Sequence, residues 1–108
     1  MDAKRTVAAL GALAQQSRLE VFRLLVRRGP AGLAAGEISG RVGVPPTTLS
    51  FHLAQLSRAG LVTSRRQGRS ILYAADYGAM QDLMGFLTEN CCQEGGCAQP
   101  PAPKRRGK

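Results

Sequence analysis

The sequence lacks the features that mark several large classes of protein. No segment has the roughly 18 consecutive apolar residues of a membrane span. The apolar stretch after Met1 is short, and no clear leader-peptide cleavage site follows it. There is no glycine-rich phosphate loop, and no pair of acidic residues on one element to support catalysis. We therefore expect a cytoplasmic protein with reduced thiols that is not an enzyme and has no membrane partner.

Acidic residues are scarce in the middle of the chain. Between Arg18 and Arg69 there are nine arginines and two glutamates, so this segment carries +7 in a chain whose net charge is +8. Residues 72–103 contain four acidic residues and no lysine or arginine, and residues 104–108 add a separate basic patch. A positive field concentrated in this way predicts a polyanionic partner, most simply nucleic acid.

At 108 residues the chain has room for one small domain, and the apolar spacing predicts a mainly helical one. In the second predicted helix Ser17 is placed to cap the first turn. Four apolar residues of that helix share one face, namely Leu19, Phe22, Leu25 and Val26. The predicted helices cover residues 6–14, 17–28, 34–42, 46–59 and 77–89, and the two predicted strands cover residues 61–64 and 70–74. Residues 65–69 are predicted to form the hairpin tip between them, with Gly68 free to adopt a positive φ.

This order of helix, turn, helix and basic hairpin is that of a winged helix-turn-helix. The fourth predicted helix has the two faces that a recognition helix needs, one apolar for docking and one polar for the major groove. The candidate base-reading residues on its polar face are Thr47, Thr48, Ser50, His52 and Gln55. The candidate phosphate or minor-groove contacts at the hairpin tip are Arg65, Arg66 and Arg69. We therefore predict binding to double-stranded DNA.

The sequence resembles the ArsR/SmtB metalloregulatory repressors over roughly residues 6 to 90. The resemblance rests on LAQQSRLEVFRLL at 13–25, on TTLSFHLAQLSRAGLV at 47–62, and on residues 65–69 followed by Tyr73. It implies a homodimer that binds operator DNA, represses its own operon and leaves DNA when an inducer binds. It also implies that the first and last helices form the dimer interface. We accordingly assign residues 1–90 to the DNA-binding and dimerisation domain and 91–108 to a flexible tail.

All three cysteines of the chain, Cys91, Cys92 and Cys97, lie within eight residues after the last predicted helix. Three sulfurs with no histidine nearby favour a soft, three-coordinate ion over zinc, which normally takes four ligands. Trivalent arsenic fits this preference, and antimony would also fit. If only two thiols take part, a methylated arsenical becomes plausible. The resemblance supports arsenic as the inducer, because family members with cysteines in this terminal region respond to it.

Other sensor sites of the family are not matched by this sequence. Residues 32–38, before the recognition helix, contain no cysteine, and the last predicted helix contains no histidine. Two alternatives to arsenic sensing stay open at this point. One is a regulator of the same fold whose thiols are oxidised rather than metallated. The other is a constitutive architectural DNA-binding protein whose thiols have no role.

Overall fold

The computed structural model describes residues 1–95 and contains five helices and a three-stranded antiparallel sheet. None of the helices in this part of the chain is long and apolar enough to cross a membrane. The sheet order is β1-β3-β2, and β2 and β3 form the wing. The helices are α1 Ala3–Leu13, α2 Gln16–Arg28, α3 Ala35–Val42, α4 Pro46–Arg58 and α5 Tyr77–Thr88. The strands are β1 Leu33–Ala34, β2 Val62–Gln67 and β3 Ser70–Ala75. The predicted winged helix-turn-helix is confirmed.

Polar side chains fix where the helices begin. Asp2 accepts a hydrogen bond from the Arg5 backbone N–H at 2.8 Å and caps α1. The cap of α2 is Gln15, whose side-chain oxygen accepts from the backbone N–H of Arg18 at 2.8 Å. The prediction that Ser17 caps this helix was therefore wrong, because the helix begins one residue earlier and Ser17 lies inside its first turn.

The core forms where α2 packs against α1, α3, α4 and the sheet. The largest side chains with almost no exposed surface are Val21, Leu25, Leu33, Ile38, Leu49, Leu56 and Leu61. The predicted inner face of α2 is correct for Phe22 and Leu25. Leu19 departs from it, because it lies in the first turn of α2 at the margin of the core and 42% of its surface is exposed.

The wing is longer and its turn is tighter than the sequence predicted. Residues Arg65 to Gln67 belong to β2 rather than to the hairpin tip, and Arg65 pairs with Leu72 across the ladder. Only Gly68 and Arg69 lie between the two strands, and Gly68 has the predicted positive φ, at +62°. A two-residue turn lets the strands stay paired to their ends, from Val62 with Ala75 to Gln67 with Ser70.

Two helices carry large apolar side chains on the protein surface. On α1, 69% of Val7 and 42% of Leu10 are exposed, and on α5, 60% of Met84 and 57% of Leu87 are exposed. The opposite face of α1 is buried within the subunit, and α1 contacts α5. Apolar surface of this extent on neighbouring helices is typical of an interface with another chain, which agrees with the dimer face expected from the first and last helices.

The loop before β1 depends on Gly32, which has a φ of +75°. A Cβ atom there would lie 2.7 Å from the backbone oxygen of Tyr73 in β3. Replacing Gly32 by alanine should therefore lower the free energy of unfolding by about 1–3 kcal/mol, from positive-φ strain and a clash with backbone. Urea unfolding followed by circular dichroism measures the change.

The matched control is Gly40→Ala, because Gly40 is helical and nothing would meet its Cβ within 4 Å. This substitution should raise the free energy of unfolding by about 0.5–1 kcal/mol. Equal stabilities for the two alanine variants would contradict the role assigned to Gly32.

Candidate nucleic-acid interface and thiol pair

The helix-turn-helix consists of α3, the turn at residues 43–45 and α4. Gly43 ends α3 in the left-handed conformation, with φ +72°, and its N–H bonds to the Ser39 carbonyl at 3.0 Å. The Ser39 hydroxyl donates to the carbonyl of Val44, which secures the turn from the other side. Pro46 then occupies the first turn of α4, where a missing N–H costs nothing. These local contacts fix the turn that connects α3 to α4.

The outer surface of α4 carries most of the predicted base-reading residues. Thr47, Thr48 and Ser50 are exposed and Gln55 is half-buried, while the leucines of the inner face are buried. Phe51 lies among them and is 56% exposed, a residue that the sequence reasoning missed. Its position three residues after Thr48 on the same helix was the available signal. An exposed aromatic ring on a recognition helix can contact thymine methyl groups in the major groove.

His52 does not belong to this outer surface. Only 6% of its surface is exposed, and its Nδ1 lies 3.4 Å from Nη1 of Arg18. The Nε of Arg18 also donates to the carbonyl of Ala12 at 2.7 Å. The prediction that His52 lies on the base-reading face was therefore wrong, since its position on α4 turns its side chain toward α1 and α2.

The environment of His52 favours the neutral ring. Burial lowers the pKa of His52 below its ordinary value of 6.5, and the positive charge of Arg18 lowers it further. With Arg18 as the donor, Nδ1 acts as the acceptor, and the ring proton then sits on Nε2. Protonation would place two cations side by side at a contact that joins three helices.

The predicted wing arginines divide into two roles. Arg65 donates from Nη1 to the Pro30 carbonyl at 3.1 Å and from Nη2 to the Ala31 carbonyl at 3.0 Å. It therefore ties the wing to the loop before β1. Arg66 and Arg69 are exposed and make no side-chain hydrogen bond or ion pair within residues 1–95. These two guanidinium groups are available for phosphates.

The cysteine cluster begins directly after α5. The Cys91 backbone N–H bonds to the Thr88 carbonyl at 3.1 Å, and Cys92 adopts a φ of +65°. This turn brings the sulfur atoms of Cys91 and Cys92 to 2.9 Å, with Cys91 exposed and Cys92 half-buried. The hydrogen bond with Cys91, and to a lesser degree burial, raises the pKa of the Cys92 thiol. Cys97 lies outside the described residues, and residues 1–95 contain no three-residue cluster of metal-ligating side chains.

Comparison with known proteins places this architecture in a family. The model of a helix-turn-helix domain matches residues 13–65. NolR, a nodulation protein of Rhizobium meliloti, is 31% identical over 82% of this chain and 70% of its own length. A solved structure of an ArsR-like transcriptional regulator from Rhodococcus superposes with a TM-score of 0.74 at 26% identity, over 83% of this chain and 82% of that one. The chain belongs to the ArsR family of transcriptional regulators.

The names of further relatives describe different regulatory roles. The transcriptional activator HlyU of Vibrio cholerae is 29% identical over 85% of this chain and 82% of its own length. A putative arsenical resistance operon repressor of Halobacterium salinarum is 38% identical over 58% of this chain and 48% of its own. A homodimeric winged helix-turn-helix domain from Mycobacterium bovis shares the fold, with a TM-score of 0.66 at 23% identity over 90% of this chain and 88% of that one. The names of these relatives thus record an activator and a putative repressor.

The His52 environment predicts a pH dependence of stability. Because the folded-state pKa lies below 6.5, the unfolded chain binds a proton at His52 more readily than the native protein does. This contribution to stability is present above pH 6.5 and is lost as the pH falls through 6.5 toward the folded-state pKa. His52→Asn, which keeps an acceptor near the Nδ1 position without titrating, should reduce the loss of stability between about pH 7.5 and pH 5.

Urea unfolding of the two proteins across that pH range measures the effect. The two proteins differ only at residue 52, so the difference between the two curves isolates the contribution of His52. Parallel curves would show that protonation of His52 does not contribute to the pH dependence of stability.

Proposed function

We propose that this ArsR-family protein is a homodimeric repressor that binds operator DNA and is released by trivalent arsenic. The observation that carries the DNA-binding part is the exposed polar surface of α4 together with two wing arginines that make no ion pair within residues 1–95, in a segment of charge +7. The N-terminal half of α4 enters the major groove, where short hydroxyl side chains allow close approach to base edges. In the proposed repressor the apolar surfaces of α1 and α5 pair the two subunits.

The divided roles of the wing arginines lead to a test on DNA. Arg66→Gln and Arg69→Gln should each weaken binding to all duplexes alike and lower the slope of log K against log salt by about 1, because each removes one phosphate contact. Thr48→Ala should instead reduce discrimination between operator and unrelated DNA. Fluorescence anisotropy at several salt concentrations measures these effects.

Lys4→Gln is the matched control, because it removes one charge at the start of α1. Its salt slope should equal that of the wild type. If Lys4→Gln lowered the slope as much as the two wing substitutions do, the effect would come from total charge and the wing would not contact phosphate.

The Cys91 and Cys92 pair supports arsenic as the inducer. Two thiols 2.9 Å apart are already gathered for a soft ion, and both are accessible from solvent. When arsenous acid is bound, each thiol replaces one hydroxide on arsenic, and its proton leaves with that hydroxide as water. This exchange does not require free thiolate, so the raised pKa of Cys92 does not oppose it. Cys97 is the proposed third ligand, whether it comes from the same subunit or from the partner subunit.

Release of DNA follows if arsenic holds the end of α5 in a different position. Cys91 is bonded to the last turn of α5, the helix whose exposed Met84 and Leu87 belong to the proposed dimer surface. A change at that surface alters the spacing of the two recognition helices, which must match major grooves about 34 Å apart. Arsenic can weaken DNA binding only by the difference in its affinity for the two dimer states.

The arsenic proposal is tested on the reduced protein bound to DNA from its own promoter. Arsenite should release the DNA at about one equivalent per site, whereas zinc should not, because the cluster offers too few ligands for tetrahedral coordination. The double variant Cys91→Ser, Cys92→Ser should bind DNA with wild-type affinity and lose the response to arsenite. Arsenite-driven release that persists in this variant would refute the assignment.

A second candidate is thiol oxidation, and the short distance between the same two sulfur atoms favours it. Oxidation of Cys91 and Cys92 by hydrogen peroxide would form one disulfide, with two electrons and two protons passing to the peroxide to give two waters. DNA release by hydrogen peroxide that is reversed by dithiothreitol, with no effect of arsenite under reducing conditions, would select this candidate. The same Cys91→Ser, Cys92→Ser variant abolishes the response in either case.

A further inference from the structure

An apolar groove runs along the outer side of α2, away from the recognition helix. Its floor and walls are Leu19, Phe22 and Val26 of α2, with Leu13 at the end of α1 and Met80 of α5. The groove has a volume of about 310 Å³, near the lower end of the range found for small-molecule sites. Almost all of its lining surface is apolar. Neither the thiol cluster nor the DNA surface uses this groove.

Two arginines form one edge of the groove. Arg23 and Arg27 lie one helical turn apart on α2, and both are exposed. The only ion pair within residues 1–95 joins Arg41 to Glu37, so neither arginine has a carboxylate partner there. On their other side the two arginines line a second cleft with Arg41 and Glu20. Glu20 accepts a hydrogen bond from Gln16 at 3.4 Å and pairs with no arginine in this part of the chain.

We propose that this groove binds a small amphipathic carboxylate, with the apolar body on α2 and the carboxylate on Arg23 and Arg27. An unbranched or aromatic monocarboxylic acid matches both parts of the site. The lining offers no acidic group to repel the anion, and its only polar side chains are Arg23 and Arg27 at the edge. Paired guanidinium groups are well suited to a carboxylate, because each can donate two parallel hydrogen bonds.

The position of the groove would allow a bound carboxylate to affect the dimer. Leu13 ends α1 and Met80 lies in the first turn of α5, so the ligand would contact both helices of the proposed dimer surface. This regulatory step rests on the proposed function, whereas the binding itself does not. Binding and its effect on DNA are therefore measured separately.

The binding experiment uses decanoate with the full-length reduced protein in isothermal titration calorimetry, below the concentration at which decanoate forms micelles. Decanoate should bind at one site per subunit, and decylamine, which has the same chain length and the opposite charge, should bind at least about tenfold more weakly. The double variant Arg23→Gln, Arg27→Gln should lose at least about tenfold in decanoate affinity. The control variant Lys4→Gln, Arg5→Gln, with the same change in charge on α1, should bind as the wild type does.

Leu19→Gln tests the apolar part of the site at an exposed position, where folding should be preserved. It should weaken decanoate binding without changing the oligomeric state in native mass spectrometry. Dissociation of the dimer in this variant would mean that a second copy of the chain covers the groove, and would overturn the proposal. Equal affinities for decanoate and decylamine, or unchanged affinity in the double arginine variant, would also overturn it.

The DNA experiment repeats the anisotropy assay with and without decanoate. A shift in operator affinity that the double arginine variant abolishes would support the regulatory step. If decanoate binds with no shift, the groove is a binding site without an effect on DNA, and the regulatory step is refuted while the binding proposal stands. Failure of the wild type to bind operator DNA at all would instead refute the proposed function.

Discussion

Arg18 joins the three helices on which DNA binding depends. Its backbone N–H donates to the capping side chain of Gln15 at the start of α2, and its Nε donates to the Ala12 carbonyl in the last turn of α1. Its Nη1 lies 3.4 Å from Nδ1 of His52 in the middle of α4. The last carbonyls of a helix have no partner within the helix, so a guanidinium there satisfies a group that burial would otherwise leave unpaired. Arg18 therefore contacts both α1, a helix of the proposed dimer surface, and α4, the recognition helix.

The position of His52 shows what helical periodicity can predict from this sequence and what it cannot. His52 lies three residues after Leu49 and four before Leu56, so spacing alone places it on the inner face of α4. The sequence prediction followed the polarity of histidine and placed it outside. A polar residue can occupy an inner position only when it finds a partner, and that partner is Arg18, 34 residues away. Such a long-range pair cannot be deduced from local spacing.

In the wing, too, some features depend on neighbouring residues and others on residues far away in the sequence. The presence of the hairpin and the positive φ of Gly68 follow from neighbouring residues and were predicted correctly, whereas the extent of the tip was not. The two-residue strand β1 was missed, because it exists only through its pairing with β3, about forty positions later in the sequence. Arg65 is held by carbonyls of the loop before β1, and its role changes from the predicted phosphate contact to a structural one. Arg66 and Arg69 make no side-chain hydrogen bond or ion pair in the described residues, and their phosphate contact stays a prediction.

The same contacts define how a signal at the thiols would reach DNA in the proposed repressor. Cys91 is bonded to the last turn of α5, α5 packs on α1, and the end of α1 is tied through Arg18 to α4. The wing has a further anchor of its own, since Arg65 donates to carbonyls of the loop before β1, while β2 packs on α4. A ligand at the thiols would therefore act on the orientation of α4 and on the wing strand β2 that packs on it. Coupling between two sites requires an element with two arrangements, and in the proposed repressor that element is the dimer. DNA would be released because, in the second arrangement, the spacing of the two recognition helices no longer matches the major grooves.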